Sequence, residues 1–315
     1  MPATYDLAEQ ILDAIEGIYG QQGPHRAVHA KGTLLIGEFT PAPEGARLSR
    51  AAHLAGPPVK ATVRLSNGGG KPDAPDTAPD GRGVAIKLYL PDGSTTDMVG
   101  LSLPCFFTRT PEDFLEFTRA RKPDPATGQP DMAVLGAFLG DHPEAGPALQ
   151  AAVTAGVPES YARQTYNSIH SFRYSNDEGE SQFGRWRLIP EAGEATVEPD
   201  VLGELEPDFL QDEIVERAGR GEAAFTVVVR IAAEDDPVDD PTVAWPEGER
   251  AEITIGRLEL TGPETGREQD GDVLVFDPTR VPDGIEISGD PILAERSRAY
   301  SVSVERRSGA TRPPL

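Results

Sequence analysis

The sequence predicts an α+β fold built on a large antiparallel sheet or barrel, with helices packed around it. Three observations carry that expectation. Residues 59–66 (VKATVRLS) alternate strictly: Val59, Ala61, Val63 and Leu65 fall on one face, Lys60, Thr62, Arg64 and Ser66 on the other. Two further strand-like runs follow on connections rich in turn residues, the pattern of an antiparallel meander. Helical patterns then cluster in the middle of the chain and at its end, between and after the strands.

The elements follow in order. Leu7, Ile11, Ile15 and Ile18 recur at helical spacing with acids between them, which predicts an amphipathic helix over about 5–19. After HRAVHAKG (25–32) comes a strand-like TLLIGEF, then a loop with a short helical piece over 41–58. The 59–66 strand is followed by a Gly/Pro/Asp loop (67–82), the alternating GVAIKLYL, the turn Pro91-Asp92-Gly93 and the strand TTDMVGLSL. PEDFLEFTRAR (111–121) reads as a helix with proline in its first turn. Two more helical patterns fill about 131–155. Strands are expected at 169–175 and 182–189, a helix near 203–218, and strands at 224–232, 251–260 and 273–276. A last helix spans about 291–307. No internal repeat breaks the run, so a single domain over 1–315 is expected.

Composition excludes several classes. The chain carries 29 Lys+Arg against 52 Asp+Glu, a net charge of −23. That charge repels the phosphates of nucleic acid and anionic lipid headgroups alike. One cysteine, Cys105, rules out an intrachain disulfide, and its apolar neighbours in LPCFF point to a buried, inert thiol. The N-terminal stretch has neither the basic nor the apolar region of a signal peptide. No run approaches the ~20 apolar residues of a membrane span. The expected address is the cytoplasm.

Two constellations hold chemistry. In the last helix Arg296, Tyr300 and Arg307 stand at i, i+4 and i+11, on one face. An arginine one turn before a tyrosine favours a phenolate, and a phenolate is a ligand for ferric haem iron. The alternative is a tyrosine lying beside surface arginines. The second is HRAVHAKG. His25 and His29 are four apart, but Gly23-Pro24 and Gly32 bound too short a stretch for a helical metal pair, and no third ligand stands at zinc-site spacing. His29 can instead act alone as a base, with Ser66 orienting its ring and Arg64 binding an anion. The acidic loop 234–240 lacks the pattern of a calcium loop, and SNGGGKPD (66–73) lacks the Gly-Lys-Ser/Thr of a phosphate loop. Trp186 and Trp245 are expected in the core.

Taken together these segments resemble the haem catalase superfamily. RAVHAKG (26–32) is similar to its distal-histidine motif, VRLSN (63–67) to its arginine-serine strand, and DAPDTAPDGRGVAIKLYLPDGSTTDMVG to the segment before its distal asparagine. LPCFFTRTPEDF (103–114), VAWPEGERAEITIGRLEL, FDPTRVPDGIE and ERSRAYSVSVERR (295–307), the last resembling the proximal-tyrosine helix, follow in the family's order. The resemblance is strongest to the catalase-related peroxidases, which lack the threading arm and helical extension of full catalases.

That resemblance implies a barrel of about eight antiparallel strands with surrounding helices and haem b in a deep pocket. His29 is then the distal acid–base and Ser66 the partner that fixes its ring. Tyr300 is the axial iron ligand, held as phenolate by Arg296. Arg26, Arg64 and Arg307 pair with the propionates, Val28 and Phe106 line the distal side, and Phe114 packs on the haem face. Leu101, in GLSL, stands where catalases have the distal asparagine, and leucine cannot hydrogen-bond peroxide. Ser102, next to it, points to the other face by alternation.

The implied activity is a peroxidase that reduces hydrogen peroxide with small organic electron donors, with weak oxygen release. Without the threading arm the expected assembly is a monomer or homodimer. Two alternatives remain: an isomerase or dehydratase of fatty-acid hydroperoxides on the same haem fold, and a haem-free barrel binding an apolar ligand.

Overall fold

The computed structural model describes residues 6–267 and 273–308. Helix α1 (Leu7–Tyr19) starts from Asp6, whose side chain and that of Glu9 form a capping box. Residue 5, placed in this helix from the sequence, lies outside the described residues. The strands are β1 (Gly32–Pro41), β2 (Val59–Asn67), β3 (Arg82–Tyr89), β4 (Thr95–Leu101), β5 (Tyr166–Asn167), β6 (Phe172–Ser175), β7 (Ser181–Pro190), β8 (Ala223–Ile231), β9 (Glu252–Pro263) and β10 (Ile285–Ile287). The other helices are α2 (Pro43–Leu48), α3 (Ala52–Ala55), α4 (Pro111–Ala120), α5 (Met132–Asp141), α6 (Gly146–Thr154), α7 (Phe209–Gly219) and α8 (Pro291–Ser308).

The strands close into a ring. Its order is β7-β5-β4-β3-β2-β1-β9-β8, and the β7–β8 pairing returns it to its start. All pairings are antiparallel, so the fold is an eight-stranded antiparallel barrel. Strand β6 shares the β5 edge of β7, and β10 pairs with β6 outside the ring. The meander expected from residues 59–101 is β2-β3-β4.

The alternation of β2 explains the core. Val59, Ala61, Val63 and Leu65 are all buried in the barrel interior with Leu35, Ile86, Leu188, Val227 and Leu258. Truncating such a residue, as in Leu65→Ala, costs about 2–5 kcal/mol because the barrel cannot fully collapse onto the void. On the polar face of β2 Lys60 is exposed, but Thr62 is buried. Arg64 and Ser66 are buried too, since residues 29–31 lie over them. Outside the barrel, α1 packs on α4 and α8 through Ile11, Leu12, Ile15, Leu115 and Val302. Arg306 of α8 also ties that helix to α1 by ion pairs to Asp13 and Glu16.

Two expectations need correction. Residues 273–276 form no strand; Leu274 and Phe276 are buried, but the segment has no ladder partner among the described residues. The pairing in that region falls to β10, whose three residues are too few to show a period. Of the run at 169–175 only Phe172–Ser175 is strand, β6; the short β5 precedes it, and between the two the Ser168 hydroxyl donates to the His170 carbonyl. Trp186, Trp245 and Cys105 are buried as expected, and burial pushes the Cys105 thiol up to about 11.

Candidate active site

His29 sits on the turn between α1 and β1 and has φ of 54°, the one non-glycine residue with positive φ among the described residues. A β-carbon disfavours that conformation, so the surroundings must impose it. Its backbone N–H donates to the Gly68 carbonyl at 3.0 Å and that of Ala30 to Gly69 at 3.0 Å. Its Nδ1 lies 3.1 Å from Ser66 Oγ. The ring lies against β3: a β-carbon at Gly83 would come within 2.6 Å of it. His29 is deep but not sealed, and part of it stays accessible. Burial first, then the charges of Arg64, Arg296 and Arg26, push its imidazole down to about 3. It is therefore neutral throughout the physiological range.

Strand register places Leu101. Cross-strand partners share a face of the sheet. Gly32 pairs with Ser66, Ser66 with Gly83, Gly83 with Leu101 and Leu101 with Asn167. Leu101 thus stands in the row that carries Ser66 and borders the His29 ring. The amide of Asn167 in that row is engaged elsewhere, donating to Leu103 O at 3.3 Å and accepting from Arg187 at 3.0 Å. Ser102 is also engaged: its Oγ accepts the Arg82 N–H at 2.9 Å.

The α8 residues meet this region from the other side. Arg296 donates to the Tyr300 hydroxyl oxygen from Nε at 3.1 Å and from Nη2 in a short contact. Its Nη1 donates to His170 Nε2 at 3.0 Å, which leaves the proton on Nδ1 to be donated to Asp290 at 2.6 Å. Burial holds the His170 imidazole down to about 4 despite that carboxylate. Asp290 also caps α8, its other oxygen accepting the N–H groups of Ile292 and Leu293. Sequence reasoning missed this Asp290–His170–Arg296 chain. Asp290 before Pro291 is a helix-start signal, but nothing near His170 points to a partner 120 residues away.

The remaining predicted residues gather around these two groups. The guanidinium groups of Arg26 and Arg307 both donate to the Leu274 carbonyl, at 3.1 and 3.0 Å. Arg64 donates to Ala30 O at 3.2 Å. Val28, Phe114 and Ala299, the residue before Tyr300, pack on one apolar cluster. Phe106 joins through Phe114, with ring centroids 5.3 Å apart. All ten predicted residues are thereby brought into one region, between β2 and the helices α4 and α8.

Two other features lie apart from it. Donor atoms of Asp113, His142 and Glu144 fall within 4.8 Å of one another, but all three are partly exposed and His142 is already 3.2 Å from Glu144. A small pocket is lined by His53, Met98, Phe172, Tyr174 and Trp186 among others. His53 Nδ1 is buried without a hydrogen-bond partner, and burial pushes its imidazole down to about 4. Among the described residues, no helix is long and apolar enough to cross a membrane.

Comparison with known proteins agrees with the fold. The family model described as Catalase matches residues 9–313. A catalase-related peroxidase of Mycolicibacterium paratuberculosis is 41% identical over 312 residues, covering 98% of each chain. One from Synechococcus elongatus is 33% identical, covering 97% of this chain and 90% of its own. A catalase of Schizosaccharomyces pombe is 28% identical, and the match spans 61% of its length. A fungal catalase crystal structure superposes with a TM-score of 0.81 at 26% identity, covering 91% of this chain and 60% of that one. With that match over nearly its whole length, the chain belongs to the catalase family.

Proposed function

We propose that this protein is a haem-dependent peroxidase that reduces hydrogen peroxide with small organic electron donors and releases little oxygen. One observation carries the reading: a neutral, Ser66-held His29 and an Arg296-clasped Tyr300 converge on one region, close enough for Arg296 to lower the pKa of His29. The donor set fits haem b. Tyr300 offers an oxygen ligand whose negative charge two guanidinium N–H groups would stabilise. Arg26, Arg64 and Arg307 offer cations for the two propionates. Val28, Phe106 and Phe114 offer an apolar wall for the macrocycle.

Haem, if bound, would supply the redox equivalents that open the O–O bond. The chain handles the proton. With Ser66 accepting from Nδ1–H, Nε2 of His29 carries a lone pair; it takes the proton from one peroxide oxygen and returns it to the other, which leaves as water. The chain from Asp290 through His170 and Arg296 to the Tyr300 oxygen would keep that oxygen oriented to hold the iron. Leu101 withholds the hydrogen bond that would orient a second peroxide. Losing one such donor commonly costs ~10²–10³ in rate, which favours oxidation of donors over release of oxygen.

The test is a visible spectrum of the purified protein, followed by parallel assays of oxygen release and of phenolic or diammonium dye oxidation. A Soret band with dye oxidation and scant oxygen is expected. Absence of the band after haem reconstitution, or oxygen release at full catalase rates, would overturn the reading. The apolar Leu101 beside His29 favours one second reading, rearrangement of fatty-acid hydroperoxides. Product from such a hydroperoxide without donor consumption would support it. We read 1–315 as one domain, since β1 pairs with β9 and α1 packs on α8, acting as a monomer or homodimer in the cytoplasm.

A further inference from the structure

The triglycine Gly68-Gly69-Gly70, which resembles a phosphate loop in composition only, has a different task in the structure. Its carbonyls at Gly68 and Gly69 accept the N–H groups of His29 and Ala30, both at 3.0 Å. The strip is laid so close to the histidine turn that side chains are excluded. A β-carbon at Gly70 would lie 2.3 Å from Ala27 O and 2.6 Å from the Tyr19 ring. The strained φ of His29 is therefore maintained by a glycine ribbon, which is by itself the most pliable kind of backbone.

Something must stiffen the ribbon, and Asp80 is placed to do it. Its Oδ2 accepts the Gly69 N–H at 2.6 Å, and the backbone N–H groups of Gly68 and Gly81 also stabilise the carboxylate. The contact with Gly68 is tight: a β-carbon there would meet Asp80 Oδ1 at 2.8 Å. Asp80 is anchored in turn, two residues before β3, the strand whose Gly83 borders the His29 ring. Burial pushes the Asp80 carboxyl up from its ordinary value, and the backbone N–H groups and the Arg82 charge oppose that shift.

We propose that Asp80 is the positioning residue for His29: its carboxylate fixes the Gly68–Gly70 ribbon to the start of β3, and the ribbon's carbonyls hold His29 in the left-handed turn that aims its imidazole. Asp80 touches no reacting atom. The proposal rests on the reading of His29 as the proton carrier, so its first test is independent of haem.

The experiment compares wild type, Asp80→Asn and Asp80→Leu. In haem-free protein, amide hydrogen exchange at His29 and Ala30 is measured against exchange in the barrel strands. Leucine cannot accept the Gly69 N–H, so exchange at 29 and 30 should rise at least tenfold with the strands unchanged. Asparagine keeps an acceptor oxygen and should stay near wild type. If Asp80→Leu does not fold, Asp80→Ala serves the same comparison. In haem-loaded protein, cyanide association, which needs a distal base to take the proton from HCN, should slow at least tenfold in Asp80→Leu with the Soret band unmoved. Wild-type exchange at 29 and 30 in the leucine variant would overturn the proposal. So would faster exchange with unchanged cyanide association, since Asp80 would then only stiffen a loop. A wild type that takes up no haem defeats the peroxidase reading instead, and the exchange comparison still decides the part played by Asp80 in holding His29.

Discussion

At the scale of single residues, the site depends on which groups can accept a proton and which cannot. With its imidazole pushed down to about 3, His29 is in its base form from pH 8 to pH 5. Peroxide cleavage should accordingly show no inflection near 6.5, where an ordinary histidine titrates; stopped-flow rates across that range test it. Position 101 is the second lever. Leu101→Asn restores a hydrogen-bonding side chain in the row that borders His29, and oxygen release relative to dye oxidation should rise at least tenfold. His29, Ser66, Arg296 and Tyr300 were legible because each lies in a short motif whose members meet through local spacing or one strand pairing. His170 and Asp290 were not. Their contact depends on how β6 and α8 approach in three dimensions, which no local pattern encodes.

At the scale of elements, two substitutions separate support from chemistry. Asp290 both caps α8 and accepts the hydrogen bond of the His170 Nδ1–H. Asp290→Ala should lose about 1 kcal/mol of stability with the cap. Asp290→Asn keeps the cap but removes the anion, so denaturant midpoints should separate the two variants while both alter the haem spectrum. Strand β3 gives the other case. Gly83→Ala places a methyl 2.6 Å from the His29 ring, whose displacement should cut peroxide cleavage at least tenfold with the barrel intact by circular dichroism. The long strands were readable because one buried face imposes a period of two, as at Val59–Leu65. On the polar face of β2, Arg64 and Ser66 are buried under the 29–31 segment, while Lys60 is exposed. The three-residue β10 was invisible, and 273–276 was misread because burial of Leu274 and Phe276 gives a strand's composition without a strand's partner.

At the scale of the whole molecule, stability is linked to histidine protonation. His53 and His170 are both nearly sealed, with imidazoles down to about 4. The unfolded chain protonates them near 6.5, so between pH 6.5 and 4 the unfolded state binds more protons and stability is lost as pH falls. The two together contribute a slope of up to about 3 kcal/mol per pH unit in that window. Urea unfolding at pH 7.0, 5.5 and 4.5 should show the loss, and His53→Phe should reduce the slope by about one proton's worth.

The seam of the barrel also sets the timing of its assembly. Strand β1 takes β2 on one side and β9 on the other, and β9 emerges from the ribosome roughly 200 residues later. At ordinary elongation rates, about 5–20 residues per second, one edge of β1 waits some tens of seconds for its neighbour. During that interval the nascent chain offers an open ladder of amides and carbonyls to any passing strand. Soluble yield should therefore improve with whatever shields that wait, such as added chaperones, even though the finished ring leaves no such edge on β1.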